Sequence, residues 1–257
     1  MLVEETLFGT IDKVKESIQF LKDFEPPEGY YLAFSGGKDS VVIKALADMA
    51  GVKYDAHYSV TTIDPPEVVY FVRDIHPDVE FDLPSAPLLT RLVKKGFPSR
   101  RSRWCCDYYK ERGGSGRVVI TGVRRAESAR RSKRKAVEPC YRDPTRRRVN
   151  PILNWSDDEV WEFININKIP YCSLYDEGFN RIGCLMCPIA GTATRRKEAD
   201  RYPRYVEAFR RAFRKLYNRR VAEGQTGILR WKGGDEMFDW WMEHEEQGDP
   251  DQTVLFE

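Results

Sequence analysis

Short apolar segments alternate with amphipathic ones through the first half of the chain, and this alternation constrains the fold more than any other feature. The apolar runs predict strands at residues 30–34, 54–60, 79–83 and 117–123. The segments between them predict helices over Ser40–Ala50, Pro66–Ile75 and Pro87–Lys95. Strands that alternate with helices predict an α/β fold with a doubly wound, mostly parallel sheet. Ligands of such sheets bind beyond the carboxyl ends of the strands.

After about residue 150 the pattern becomes helical. Ser156, followed three residues later by Glu159, has the spacing of a capping box at a helix start. Further helices are predicted over Arg201–Ala222 and Asp235–His244. We therefore expect a nucleotide-binding domain over residues 1–190 and a helical C-terminal extension over residues 191–257.

Composition narrows the class of protein. The first 21 residues are charged throughout, and no apolar run approaches the roughly 18 residues of a membrane span. We therefore expect a cytoplasmic protein without a membrane partner. In that compartment the six cysteines indicate metal or redox chemistry rather than a disulfide framework.

Charge is distributed unevenly along the chain. The net charge is only +2, yet residues 91–148 hold 20 Lys and Arg against five Asp and Glu. Such a basic block indicates a polyanionic partner, either a nucleotide or a nucleic acid. A solvated charged surface is the alternative.

The sequence SGGKDS, residues 35–40, follows the first predicted strand and opens the first predicted helix. A glycine-rich turn before a helix lets backbone N–H groups approach an anion, and the helix N-terminus adds partial positive charge. The spacing differs from that of a Walker A loop. The residues themselves also allow an ordinary tight turn.

The complete string resembles the SGG-x-D-S loop of PP-loop ATP pyrophosphatases. The resemblance implies that ATP is bound, with its pyrophosphate part in the loop, and cleaved between the α and β phosphates. It implies that Lys38 neutralises charge and that Asp39 organises the turn or Mg²⁺. The implied cradle is Ser35, Gly36, Gly37, Lys38, Asp39 and Ser40.

Four cysteines have informative spacing: the adjacent Cys105 and Cys106, and the C-x-x-C of Cys184 and Cys187. A C-x-x-C alone fits zinc, a redox dithiol or an iron–sulfur cluster. The adjacent pair followed by a C-x-x-C is similar to the 4Fe-4S motif of adenylylsulfate reductases. A four-cysteine Zn²⁺ site and buried cysteines without metal remain alternatives.

Two further cysteines, Cys140 and Cys172, have no clear place in that motif. Cys172 lies twelve positions before Cys184, so it could replace a ligand or handle sulfur as a catalytic thiol. Its alternative is a small core residue.

The segment GVRRAESARR, residues 122–131, resembles the G-x-R-x-x-E-S-x-x-R motif of the PAPS reductase family, and residues 150–187 resemble the family's run before its C-x-x-C. The likeness spans about residues 30–188. Glu127 is expected to orient one of the arginines of this segment or to bind a metal ion, and the alternative is a surface ion pair. Asp64, in TTIDPP, either contacts ribose or Mg²⁺ or serves a turn. The nucleotide-binding residues implied here are Gly122, Arg124, Ser128 and Arg130, and the catalytic set is Lys38, Asp39, Arg124, Glu127 and Cys172.

Two departures from the family's reductases redirect the expected function. The opening loop is intact, which suits ATP itself, and no cysteine follows Cys187 to act as the reductases' nucleophile. The resemblance then favours the branch that includes tRNA thiolases and the PP-loop subunit of DNA phosphorothioation systems. We expect ATP to adenylate a substrate and sulfur to displace AMP.

That branch implies several partners. The region 91–148 would hold DNA or tRNA, and a cysteine desulfurase or thioredoxin-like reductant would supply sulfur or electrons. One alternative is a reductase that takes PAPS or adenylylsulfate and produces sulfite. Another is a non-catalytic nucleotide-binding subunit of a larger complex.

Overall fold

The computed structural model describes residues 1–6 and 9–244. The chain forms two compact units, each built from separate segments. The first unit contains residues 1–59, 66–82 and 112–182, and the second contains residues 60–65, 83–111 and the chain from residue 183. In the described part of the chain, no helix is both long and apolar enough to cross a membrane.

A six-stranded sheet organises the first unit, in the order β5-β4-β3-β6-β8-β7. All neighbouring pairs are parallel except the edge pair β7 and β8, which is antiparallel. A separate antiparallel hairpin joins β1 and β2. The strands are β1 (Val3–Thr6), β2 (Gly9–Asp12), β3 (Tyr30–Ala33), β4 (Tyr54–Ser59), β5 (Glu80–Asp82), β6 (Val118–Ile120), β7 (Val137–Pro139) and β8 (Arg147–Val149).

The central strands are apolar because both faces of a parallel sheet are covered. Leu32 of β3 lies beside Ala56 of β4 and Ile120 of β6, and all three side chains are buried. The helices of this unit are α1 (Lys13–Asp23), α2 (Lys38–Ala50), α3 (Pro66–Ile75) and α6 (Asp157–Ile166). The predicted α/β class with a mostly parallel sheet is confirmed.

Local sequence explains where these helices begin and end. Ser156 Oγ accepts the Glu159 N–H at 3.2 Å and Glu159 Oε2 accepts the Ser156 N–H at 2.8 Å, so the predicted capping box starts α6. Gly51 ends α2 in the left-handed region, with φ of 67°. The sequence reasoning had no prediction for α1, β1, β2, β7 or β8.

The second unit is helical. Its helices are α4 (Leu88–Lys95), α5 (Trp104–Tyr109), α7 (Thr192–Arg201), α8 (Pro203–Ala222) and α9 (Gly234–Glu243). Its core is aromatic, with Phe213 stacked on Phe97 at 5.7 Å and close to Trp241 at 5.3 Å. The predicted C-terminal helices are therefore present, although α8 begins at Pro203, two residues later than expected. The domain boundary at residue 190 stays a prediction, and residues 245–257 lie outside the described residues.

Candidate functional site

The SGGKDS loop leaves β3 and becomes the first turn of α2. Gly36 has φ of 72°, and a Cβ there would lie 2.8 Å from Val68 Cγ1, so glycine is required for both conformation and space. Gly37 caps α2 without any side-chain hydrogen bond. By contrast, α1 and α6 are capped by Asp12 and Ser156. Of these three helices, α2 is thus the one whose N-cap residue makes no side-chain hydrogen bond, an arrangement typical of an anion site.

Hydroxyl groups brace this loop. Ser40 Oγ donates to the Gly37 carbonyl oxygen at 2.7 Å, and Ser35 Oγ lies 3.3 Å from Ser40 Oγ. The Lys38 N–H donates to the phenol oxygen of Tyr175 at 2.8 Å. Burial raises the pKa of Tyr175 above its ordinary value, so the phenol stays neutral at physiological pH.

Two cations and two carboxylates meet beside the loop. Arg124 is 1% exposed, and its Nε donates to Asp39 Oδ1 at 2.6 Å while Nη2 donates to Asp157 Oδ1 at 2.5 Å. The Nζ of Lys38 lies 3.4 Å from Asp39 Oδ2 and 3.2 Å from Asp157 Oδ1. Burial lowers the pKa of Arg124, but the two carboxylates outweigh it and hold that pKa above its usual value.

The close approach of residue 122 to α2 explains its glycine. A Cβ on Gly122 would lie 3.0 Å from Asp39 Cβ and 3.1 Å from the Asp39 backbone. The segment after β6 therefore passes directly against the first turn of α2. The structure thus brings together Lys38, Asp39, Gly122 and Arg124 of the predicted set.

The other predicted residues of the 122–131 motif are more exposed. Glu127 Oε2 accepts the Arg124 N–H at 2.9 Å, and its other oxygen pairs with Arg131. Ser128 Oγ accepts the Arg131 N–H at 3.2 Å, and Arg130 lies on the surface. Their proposed contacts with nucleotide stay predictions.

Sequence reasoning missed Asp157 and Tyr175 as members of this site. Asp157 is the first residue of α6, where an aspartate is expected merely to favour the helix dipole. Tyr175 lies in the short 3₁₀ turn Ser173–Tyr175, and it has no sequence signal that marks it.

The four motif cysteines all belong to the second unit. Cys105 and Cys106 lie in α5, and Cys184 and Cys187 lie in the loop before α7. A hydrogen bond between the adjacent thiols raises the pKa of Cys105 and lowers that of Cys106. The charges of Cys184 and Cys187 also raise the pKa of Cys105, so the four sulfur atoms interact electrostatically.

Backbone contacts hold the C-x-x-C loop. The Leu185 N–H donates to the Ile63 carbonyl at 2.9 Å, and the Met186 N–H donates to Glu198 Oε2 at 2.6 Å. Met186 has φ of 53°, a left-handed conformation, and Glu198 is buried. Burial raises the pKa of Glu198 to about 7. Arg100 also donates to the carbonyl oxygens of residues 188 and 189.

Positive charge surrounds these thiols. Arg103 Nη2 donates to Cys106 Sγ at 3.6 Å. The charge of Cys184 raises the pKa of Lys110, with Asp64 contributing, so the ammonium and these groups are neighbours. Burial raises the pKa of Cys184 to about 11, partly offset by Lys110. Such cations stabilise thiolate ligands.

Asp64 therefore lies in the second unit, near the cysteine group. Its Oδ2 accepts the Thr61 N–H at 2.7 Å and its Oδ1 accepts the Thr61 hydroxyl at 2.8 Å, as in a turn. Its predicted contact with ribose or Mg²⁺ stays a prediction.

Four thiols are a donor set that either a zinc ion or an iron–sulfur cluster can use. Residues 1–6 and 9–244 contain no group of three or more His, Cys, Asp or Glu side chains arranged around one metal ion. The cationic neighbours of the thiols suit either group, since both bind thiolates.

Comparison with known proteins identifies the family. Residues 29–190 match the family model of the phosphoadenosine phosphosulfate reductase domain. The chain belongs to this family.

The chain is similar in sequence to an uncharacterized protein of Methanocaldococcus jannaschii, with 29% identity over 87% of this chain and 51% of that protein. Adenosine 5'-phosphosulfate reductase of Oceanobacillus iheyensis is 32% identical over 55% of this chain and 60% of that enzyme. The chain thus spans little more than half the length of these curated relatives. The PAPS reductase of Candida auris, solved with phosphate, has the same fold, with a TM-score of 0.53 at 20% identity over 66% of this chain and 88% of that one.

The remaining cysteines differ from the family motif in their surroundings. Cys172 is 1% exposed, and burial raises the pKa of its thiol, which disfavours the thiolate. Cys140 is also buried, which raises its pKa, but Arg146, which donates to its sulfur at 2.8 Å, backbone N–H groups and the charge of Arg148 together outweigh burial and lower that pKa. The catalytic role of Cys172 is untested, and these surroundings match the core alternative.

Part of the basic region is neutralised internally. Arg117 pairs with Asp55 at 2.5 Å, and Arg134 pairs with Glu138. Other cations of residues 91–148 are surface-exposed, including Lys133, Lys135 and Arg147.

Proposed function

We propose that this protein is an ATP-dependent sulfurtransferase that adenylates a nucleic acid and replaces an oxygen of it by sulfur. The observation that supports the proposal is the start of α2, where a helix N-terminus with glycine as its N-cap residue, Lys38 and Arg124 meet at a complete SGG-x-D-S loop. Membership of the PAPS reductase family supports an adenine nucleotide as the ligand.

ATP binds with its β and γ phosphates against the loop. Backbone N–H groups at the start of α2 and the Ser35 and Ser40 hydroxyls contact phosphate oxygens, and Lys38 neutralises charge. Asp39 holds Arg124 in position through their 2.6 Å contact and assists Mg²⁺. Glu127, Ser128 and Arg130 stand next to Arg124 in the chain and complete the proposed nucleotide set.

Adenylation makes a good leaving group. An oxygen of the substrate attacks the α-phosphorus of ATP, the bond to the β-phosphate oxygen breaks, and pyrophosphate departs. A sulfur nucleophile at the sulfide level then attacks the carbon or phosphorus that bears this oxygen, and AMP leaves with the oxygen. No net electron transfer occurs, because sulfur enters and remains in the sulfide state.

The second unit contributes the four-cysteine group. Cys105, Cys106, Cys184 and Cys187 would hold a 4Fe-4S cluster, which when bound supplies iron sites for sulfur. Lys110 and Arg103 offset the negative charge of the thiolates. Free sulfide would provide the sulfur, or a cysteine desulfurase would do so together with a thioredoxin-like dithiol, which supplies two electrons to reduce the desulfurase persulfide to sulfide and is itself oxidised to a disulfide.

The substrate is assigned from charge. Residues 91–148 have a surplus of 15 positive charges, which suits the phosphate backbone of DNA or tRNA.

The proposed domain division follows from the same function. Residues 1–190 carry the nucleotide and cysteine motifs, and the chain from residue 191 is a helical extension.

Sulfonucleotide reduction is the second candidate, because a named relative is an adenosine 5'-phosphosulfate reductase. With adenylylsulfate as substrate, that reaction takes two electrons from a pair of thiols, which become a disulfide, and releases sulfite and AMP. It therefore needs a reductant and no ATP, which separates it experimentally from thiolation.

One experiment compares the two directly. Protein purified without oxygen is supplied in one reaction with ATP, Mg²⁺, sulfide and mixed tRNA or DNA, and in another with adenylylsulfate or PAPS and a dithiol. The proposal expects pyrophosphate and thiolated nucleosides by mass spectrometry in the first reaction and no sulfite in the second. Sulfite without pyrophosphate would replace the proposal by the reductase.

A further inference from the structure

Asp157 has a position in the nucleotide site that its place at a helix start does not explain. One carboxylate oxygen, Oδ1, contacts both Lys38 Nζ at 3.2 Å and Arg124 Nη2 at 2.5 Å. Together with Asp39, it balances two buried cations with two anions. These four side chains are therefore together close to electrically neutral.

The two carboxylates differ in how firmly they are held. The side chain of Asp39 is 23% exposed and packs beneath residue 122, whereas the side chain of Asp157 is 62% exposed. Returning Asp157 to water costs little, because most of its surface is already hydrated. Withdrawing Asp39 would break a packed contact.

We infer that Asp157 is an exchangeable counter-ion that occupies Lys38 and Arg124 until a polyphosphate displaces it. This inference rests on the proposed nucleotide site. A phosphate oxygen takes the place of Asp157 Oδ1 at Lys38, while Asp39 keeps Arg124 in position. Asp157 thus tunes affinity by competing with the phosphate chain and by repelling its charge.

The chain provides a matched control for this idea. Asp158 follows Asp157 in the same first turn of α6 and is exposed. Asp158→Asn removes the same charge from the same helix terminus, so it reproduces the general electrostatic effect without the contacts to Lys38 and Arg124.

The test is calorimetric titration of the full chain with pyrophosphate and, separately, ATP, in EDTA and then in Mg²⁺. Asp157→Asn should bind pyrophosphate about fivefold more tightly than wild type in EDTA, the effect of removing one partly exposed ion-pair partner. The gain should shrink in Mg²⁺, which neutralises part of the ligand charge. Asp158→Asn should match wild type.

The outcomes separate the inference from the proposal beneath it. Unchanged or weaker binding by Asp157→Asn, with normal wild-type binding, overturns the inference alone. A loss confined to Mg²⁺ also overturns it, because Asp157 would then be a metal ligand. Equal gains in both variants overturn it too, since the contact would not matter. If wild type binds neither pyrophosphate nor ATP, the proposed nucleotide site itself is overturned.

Discussion

Removal of Arg124 tests whether its ion pairs organise the nucleotide site. In Arg124→Met a buried apolar chain replaces the guanidinium, and Asp39 and Asp157 lose their shared partner. Breaking a buried ion pair costs about 3–5 kcal/mol. Asp157 is 62% exposed, so its share is below about 1 kcal/mol. We expect the free energy of unfolding of the first unit to fall by about 3 kcal/mol.

The loss of unfolding free energy in Arg124→Met should become smaller as the pH falls. Burial raises the pKa of Asp157, but Arg124 and Lys38 outweigh it and hold that pKa below its ordinary value. A lowered pKa stabilises the fold above the unfolded-state pKa of about 3.9, and this contribution disappears as the pH falls through the folded-state value. The part of the difference between wild type and Arg124→Met that comes from Asp157, below about 1 kcal/mol, should thus be present at pH 7 and disappear below about pH 4.

Hydrogen exchange of the α2 and β6 amides, followed through a urea series, reports the unit that contains Arg124. Arg125→Met is the control, because the side chain of this exposed neighbour donates to Asn154 Oδ1 at 2.7 Å and to the Arg134 carbonyl oxygen at 3.3 Å rather than to a buried carboxylate. It should cost at most about 1 kcal/mol. Two results would refute the reasoning: an equal loss of unfolding free energy in Arg124→Met and Arg125→Met, or a loss in Arg124→Met that grows toward pH 3.

Three further predictions follow from single contacts. Gly36→Ala should destabilise more than Gly51→Ala, by about 1–3 kcal/mol in urea unfolding, because both have positive φ but only residue 36 would clash; equal costs contradict this. Cys184→Ser should lose most iron and visible absorbance from anaerobically prepared protein, whereas Cys140→Ser should keep both, and unchanged iron in the former rejects the ligand assignment. His57 of β4 lies between Asp82, 3.1 Å from its Nδ1, and Asp55, 2.7 Å from its Nε2, and these carboxylates outweigh burial and raise its pKa. The stability lost in His57→Gln should therefore be largest below about pH 6.5 and fade as the pH rises through the folded-state pKa. A loss of stability that increases with pH would contradict this prediction.

The sequence predicted the loop because its chemistry is local. A strand, two glycines and a helix start are contiguous, so residues 35–40 needed no knowledge of the fold. Arg124 was also identified, through a motif, and the structure adds the reason that it reaches Asp39. The strands β3 and β6 are parallel neighbours, so the segments that follow them adjoin.

Asp157 and Tyr175 were missed because their roles depend on tertiary placement. A first-turn aspartate has an ordinary explanation in the helix dipole, and a tyrosine after a buried cysteine has none that points to α2. Likewise, the sequence identified the four motif cysteines but could not predict that Lys110 and Asp64 lie near Cys184, since these residues come from three separate segments.

The most direct test of the central claim is the position at which ATP is cleaved. Anaerobic protein is incubated with ATP, Mg²⁺, sulfide and nucleic acid, and the products are resolved by ³¹P NMR for wild type and Lys38→Ala. The account predicts AMP and pyrophosphate from wild type, with little of either from the variant. ADP and phosphate, or AMP and pyrophosphate formed equally by Lys38→Ala, would contradict it.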